Sequence, residues 1–175
     1  MKNMLTLFIL FLLVSCGDDS DIIIDGMSPI YADITSSEAV SSEGPREIED
    51  LGNLVNVGDY LFINERFQGI HVIDNSDPSN PTFMHFFKII GNTEFTIDGD
   101  ALFADNSRYL LVIDISDFEN IKVVDVIRNQ YGVSFSSTLF RPKDYIGRFE
   151  CVEREEGIVV DWEFISLVNP RCSAF

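Results

Sequence analysis

Val57-Gly58-Asp59-Tyr60-Leu61-Phe62-Ile63-Asn64 lies over Asp98-Gly99-Asp100-Ala101-Leu102-Phe103-Ala104-Asp105 at an offset of 41. Further on, Ile70-His71-Val72-Ile73-Asp74-Asn75-Ser76-Asp77 lies over Leu110-Leu111-Val112-Ile113-Asp114-Ile115-Ser116-Asp117 at an offset of 40, so one residue is lost in a loop between the blocks. Each copy consists of short runs of Val, Ile, Leu, Phe and Tyr broken by Gly, Asp, Asn and Pro, which is the pattern of consecutive short strands. A period of about 40 to 45 residues holding four strands is that of a β-propeller blade. The pattern predicts strands at Leu54 to Val57, Tyr60 to Asn64, Gly69 to Asp74 and Thr82 to Ile89, then at Glu94 to Asp98, Ala101 to Asp105, Tyr109 to Ile115 and Lys122 to Ile127. Gly58-Asp59 and Gly99-Asp100 suit two-residue hairpins, which need φ > 0. Ile70 to Ile73 and Leu110 to Ile113 are apolar on both faces, as strands covered on both sides should be. Asp74 and Asp114 each open an Asp-x-Ser-Asp turn whose carboxylates can accept from its own amides. The first turn is stiffened by Pro78 and Pro81, whereas Phe118 and Ile121 stand in the second, leaving it looser or packed against something.

Two blades do not close a ring, since propellers use four to eight. An open pair would bare an apolar face, so the sheets must pack on each other, be covered by later residues, or be completed by other copies in a homo-oligomer. The region from Arg148 to Val168 reads as a β-hairpin turning near Glu155-Glu156-Gly157, with Val160, Trp162 and Phe164 alternating with Asp161 and Glu163. Trp162 reads as a core plug ahead of a ligand platform. The expected fold class is all-β: two tandem four-stranded propeller-type blades, an incomplete propeller, plus a C-terminal β-hairpin. The expected division is residues 1–15 as leader, 16–50 as tether, 51–128 as the two repeats and 129–175 as the extension.

Met1 to Cys16 place Lys2 before an apolar run from Leu5 to Val14, too short for the roughly 20 residues a spanning helix needs and suited to a secretory signal. Leu13-Val14-Ser15-Cys16 resembles the lipobox of bacterial lipoproteins, which makes Cys16 the expected lipid anchor, held by two or three acyl chains. From Cys16 to Asp50 there are ten acidic residues against Arg46 alone, and the segment reads as a self-repelling extended tether in which only Ile22 to Ile24 and Pro29 to Ala32 could dock. Gly17-Asp18-Asp19-Ser20-Asp21 resembles the surface-export signals of lipoproteins in the Bacteroidetes. The expected address is therefore a bacterial outer membrane, with exposure at the cell surface. The whole chain, 175 residues with 12 Lys+Arg against 29 Asp+Glu, has a formal net charge of -17, which argues against nucleic-acid partners and against adsorption to acidic lipid.

Gly69 to Pro81, Leu110 to Ser116 and the stretch Tyr60 to Glu65 together resemble the bacterial LVIVD-repeat proteins over roughly Leu51 to Ile127. The resemblance implies a propeller fold and an extracytoplasmic location, and supplies no catalytic residues; both copies here shorten the name motif to Val-Ile-Asp. With Cys16 set aside, Cys151 and Cys172 are an even pair in an oxidising compartment, and a disulfide is expected over a pair of reactive thiols. His71 and His85 lie in strands and fit no metal-ligand spacing, and no nucleophile elbow, phosphate loop or dinucleotide motif occurs. No cofactor, metal or catalytic residue is expected, the Asp-x-Ser-Asp turns being self-capped ahead of calcium-binding. The expected role is a non-enzymatic lipid-anchored envelope protein that presents its sheets to a protein partner. The alternatives are a carbohydrate- or polymer-binding accessory, whose loop aromatics would stack on sugars, and a shortened relic of a longer propeller.

Overall fold

The computed structural model describes residues 20–106, 109–128, 141–153 and 155–175. The leader and Cys16 lie outside the described residues, as does the start of the expected extension at 129–140. Among the described residues there are thirteen strands and no helix: β1 (Ile23–Ala32), β2 (Val40–Glu43), β3 (Leu51–Val57), β4 (Tyr60–Glu65), β5 (Gly69–Asp74), β6 (Thr82–Ile89), β7 (Phe95–Asp98), β8 (Ala101–Asp105), β9 (Leu110–Asp114), β10 (Lys122–Ile127), β11 (Gly147–Phe149), β12 (Ile158–Val168) and β13 (Cys172–Ala174). They form three sheets, in the orders β2-β6-β5-β4-β3, β10-β9-β8-β7 and β12-β1-β11-β13, and none closes into a barrel. Each repeat is thus one antiparallel meander, and the second has the four strands that the period predicts.

The local reasons hold position by position. Val57 pairs with Tyr60 and Asp98 with Ala101 across the Gly-Asp turns. Gly58 has φ 60° and Gly99 φ 58°, the left-handed backbone that those hairpins demand. Ile70 to Ile73 are buried on both faces of β5. One face of the first sheet (Phe62, Ile70, Val72, Phe87, Ile89) meets one face of the second (Leu102, Ala104, Leu111, Ile113) in a single core. Phe118, in the turn where the first repeat has proline, keys into that core. Its ring stands edge-on to Tyr60 at 5.1 Å, Phe87 at 5.7 Å and Phe62 at 6.1 Å, and its carbonyl accepts from Ser42 Oγ. The second turn is therefore packed rather than loose.

Two expectations are corrected. The acidic segment 16–50 is not an extended tether throughout. Ile23–Ala32 forms a ten-residue strand of the third sheet, in register with β12 from Ile23↔Val168 to Ala32↔Ile158, and Val40–Glu43 adds β2 to the edge of the first sheet opposite Phe86 to Ile89. Composition hides this because the acids Asp25 and Asp33 stay on the exposed side, while Gly26, Ser28 and Pro29 are buried against a strand over 130 residues away in sequence. The C-terminal pair likewise is not a simple hairpin: both strands exist, but β1 lies between β12 and β11, and β11 pairs instead with β13. Cys151 and Cys172 are bonded, with Cα atoms 5.2 Å apart, which ties β13 to the residues just after β11.

Candidate functional site

β4 ends in Asn64-Glu65 and β5 begins one tight turn later, so the register Glu65↔Gly69 and Ile63↔His71 places three polar side chains in the interior of the first sheet. All three are fully buried. Glu65 accepts from the backbone N–H of Glu49 at 3.0 Å and of Asp50, and lies 3.0 Å from His71 Nε2. His71 Nδ1 has no hydrogen-bond partner and the ring packs edge-on to Phe86 and Phe83. The proton is thereby assigned to Nε2, which donates to the carboxylate. Arg46 closes the region, its guanidinium 3.5 Å above the Phe86 ring and bonded to Gln68 Oε1. The carboxylate is a latch: it fastens residues 49–50 to the end of β4 and so fixes where β3 starts.

The second repeat carries the same device in different residues. Asp105, at the end of β8, accepts from the Thr93 amide at 2.6 Å, Thr93 Oγ1 at 2.6 Å and the Glu94 amide at 2.9 Å, just ahead of β7. By sequence offset Asp105 corresponds to Asn64, not Glu65. β3 carries a register shift between Leu51 and Leu54 that the β7–β8 pair lacks, so the two junctions differ in local geometry. Asn64 then serves the junction of the two repeats: its Nδ2 donates to Gly69 O and to Asn92 Oδ1 at 2.6 Å, while Asn92 Nδ2 donates to the carbonyls of Glu94 and Asp105. His71 has Leu111 as its counterpart, so the buried acid–imidazole pair belongs to the first repeat alone. Sequence reading found His71 but missed Glu65 as its partner; the signal was the acid closing an otherwise apolar strand two residues after Ile63.

In the turns after β5 and β9, Asp74 accepts from the Ser76 amide and Asp114 from the Ser116 amide, both at 2.9 Å, and Asp77 and Asp117 repeat the bond with Ser79 and Glu119. Among the described residues no three His, Cys, Asp or Glu side chains converge as a metal ion would require. Burial alone would raise the Glu65 pKa, but the bonds from His71 and from the amides of Glu49 and Asp50 outweigh it and hold the carboxyl below its ordinary value. Bonds from the Ser76 hydroxyl and amide lower Asp74, those from the Ser116 amide and hydroxyl lower Asp114, and those from the Asn120 side chain and the Glu119 amide lower Asp117. All four groups shift downward, so each contributes stability that is complete above the unfolded carboxyl value and is lost as pH falls through the folded one. Denaturant midpoints are expected to be level from neutral pH down to about 5 and to fall steadily below about 4; a midpoint that drops already between pH 7 and 6 contradicts this.

An open cleft of about 790 Å³ lies elsewhere, between the turn Arg66-Phe67-Gln68 and the face of β12 from Val159 to Trp162. Arg141, Lys143, Glu49, Asp50 and Asp161 also line it. Arg66 is bonded to Asp50 at 2.9 Å. Trp162 is half-buried, edge-on to Phe149 at 5.6 Å, and presents its remaining surface to the cleft, so it is both packed and accessible.

Comparison with curated proteins and with solved structures returned no match. The family model of the LVIVD repeat matches residues 52–88 and 99–125, the first sheet's β3 to β6 and the second sheet from the β7–β8 turn into β10. These two segments are similar to the LVIVD repeat, and the unclosed antiparallel meanders that they form are consistent with an incomplete propeller-like fold.

Proposed function

We propose that the protein is lipid-anchored through Cys16 at a bacterial outer membrane and works without chemistry of its own, offering the open flank of its repeat sheets to a protein partner. The observation that carries the reading is the edge strand β3, where Leu51 and Leu54 are each 53% exposed at the border of an unclosed two-blade array. An unpaired edge with apolar side chains is a template for a further strand or blade. The inward-facing acids and amides support the same reading, since the buried Glu65, Asn64 and Asn92 and the half-buried Asp105 are engaged with the chain's own backbone. A photo-crosslinking residue at position 54 in intact cells is expected to give one discrete adduct, lost on Leu51→Asp, with none from position 120 in an exposed turn. Equal labelling from both positions, or an adduct indifferent to Leu51→Asp, would sink the proposal. The cleft beside Trp162 favours a second reading, a site for a sugar or other ring-bearing ligand. Glycan binding that Trp162→Ala abolishes, with the position-54 adduct absent, would put that reading first.

A further inference from the structure

With Ile23–Ala32 committed to the third sheet, only the six steps from Cys16 to Ile22 separate the proposed anchor from folded backbone. At no more than about 3.5 Å per residue, they reach about 20 Å. The end of the β1–β12 ribbon is therefore held close to any bilayer into which Cys16 is acylated.

That end is also the one with bare aliphatic side chains. Ile22 is 61% exposed, Ile23 67% and Val168 61%, and Ile23 stands directly opposite Val168 on one face of the sheet. The tip is clasped rather than frayed. Asn169, at φ 51°, accepts from the Ile22 amide through Oδ1 at 2.9 Å, donates its own amide to the Ile22 carbonyl at 2.8 Å, and donates Nδ2 to Asp21. Asp25, next along the same face, accepts from Ser166 Oγ. A rigid apolar tip with acids set just behind it suits a zwitterionic lipid surface, where side chains can enter the headgroup boundary while carboxylates remain hydrated; an anionic surface would repel Asp18, Asp19, Asp21 and Asp25.

We infer that Ile22, Ile23 and Val168 rest in the lipid surface to which Cys16 is attached, so that the body is seated on the membrane and not held away from it. This rests on the anchor reading of the preceding subsection. The test uses the full chain isolated with its native N-terminal modification and reconstituted in phosphatidylcholine vesicles, some carrying brominated acyl chains. Mass spectrometry of the same sample reads the state of Cys16. In a Val168→Trp variant made with Trp162→Phe, emission is expected to shift to the blue on reconstitution and to be lost as brominated lipid is added. In the unsubstituted chain Trp162, six residues along the strand, keeps its intensity under the same conditions. Ile23→Trp in the same background gives an independent reading should the first variant fold poorly. Water-like, unquenched emission from both positions with Cys16 acylated overturns the inference and leaves the anchor standing. Cys16 without acyl chains removes both. A blue shift without vesicles, together with a doubled mass in solution, also overturns the inference and makes a second copy the occupant.

Discussion

Glu65→Ala is expected to cost about 4 kcal/mol of folding stability and to lower the melting temperature by roughly 10 °C. The loss is large because the side chain is fully buried and is the acceptor for three donors at once: the amides of Glu49 and Asp50, and His71 Nε2. Alanine leaves the fully buried His71 Nε2 without its partner and releases the amides of Glu49 and Asp50 from the end of β4. Glu65→Gln is expected to cost about half as much, since its carbonyl oxygen replaces one carboxylate oxygen while its NH₂ group faces a donor in either orientation. His71 cannot relieve that clash by moving its proton, because Nδ1 has no acceptor. His71→Leu, which installs the residue found at the matching place in the second repeat, removes the donor and leaves the two amide bonds to Glu65 intact. It should be milder than Glu65→Ala, and the double variant should be less damaging than the two losses added together. Strict additivity in denaturant titrations would show that the imidazole and the carboxylate do not act as a unit.

The latch illustrates what the sequence could and could not say. Every repeat strand was legible to within a few residues at its start or end, because period, Gly-Asp turns and doubly apolar runs are local signals that the same forty-residue segment satisfies twice. Phe118 and Ile121 stood out as departures from Pro78 and Pro81, and the structure gives the departure a purpose: an aromatic ring reaches across to Phe62 and Phe87 and joins the two sheets. What was illegible depends on partners distant in sequence. The strand Ile23–Ala32 carries acids at Asp25 and, just beyond, Asp33, and looks like solvated linker until β12 is set beside it. The insertion of β1 between β12 and β11 is of the same kind, since nothing between Arg148 and Val168 records that a strand from the other end of the chain will separate them. Glu65 was passed over for a third reason. A carboxylate in an acidic chain carries no information by itself, and the two amides that bond it come from residues 49 and 50, just ahead of β3.

Reduction of the Cys151–Cys172 bond is expected to lower the stability of the third sheet by about 3 kcal/mol, with a much smaller effect on the repeats. β13 has three residues and is held to β11 by three register pairs, Gly147↔Ala174, Arg148↔Ser173 and Phe149↔Cys172, too short a ladder to persist alone. The disulfide closes the 21-residue separation that contains all of β12, so opening it frees both the terminal strand and the loop that returns to it. The shared core draws its buried side chains from the two repeats and its immediate surroundings, and only Ile158 and Val160 of the third sheet pack against it from outside. Trp162, the one tryptophan, sits on Phe149 in the affected sheet and reports on it selectively. With reductant present, the Trp162 fluorescence transition should move to lower denaturant while the far-ultraviolet transition, dominated by the repeat strands, moves little. Coincident transitions before and after reduction would mean that the third sheet and the repeats unfold as one unit, and that β13 holds without its covalent tie.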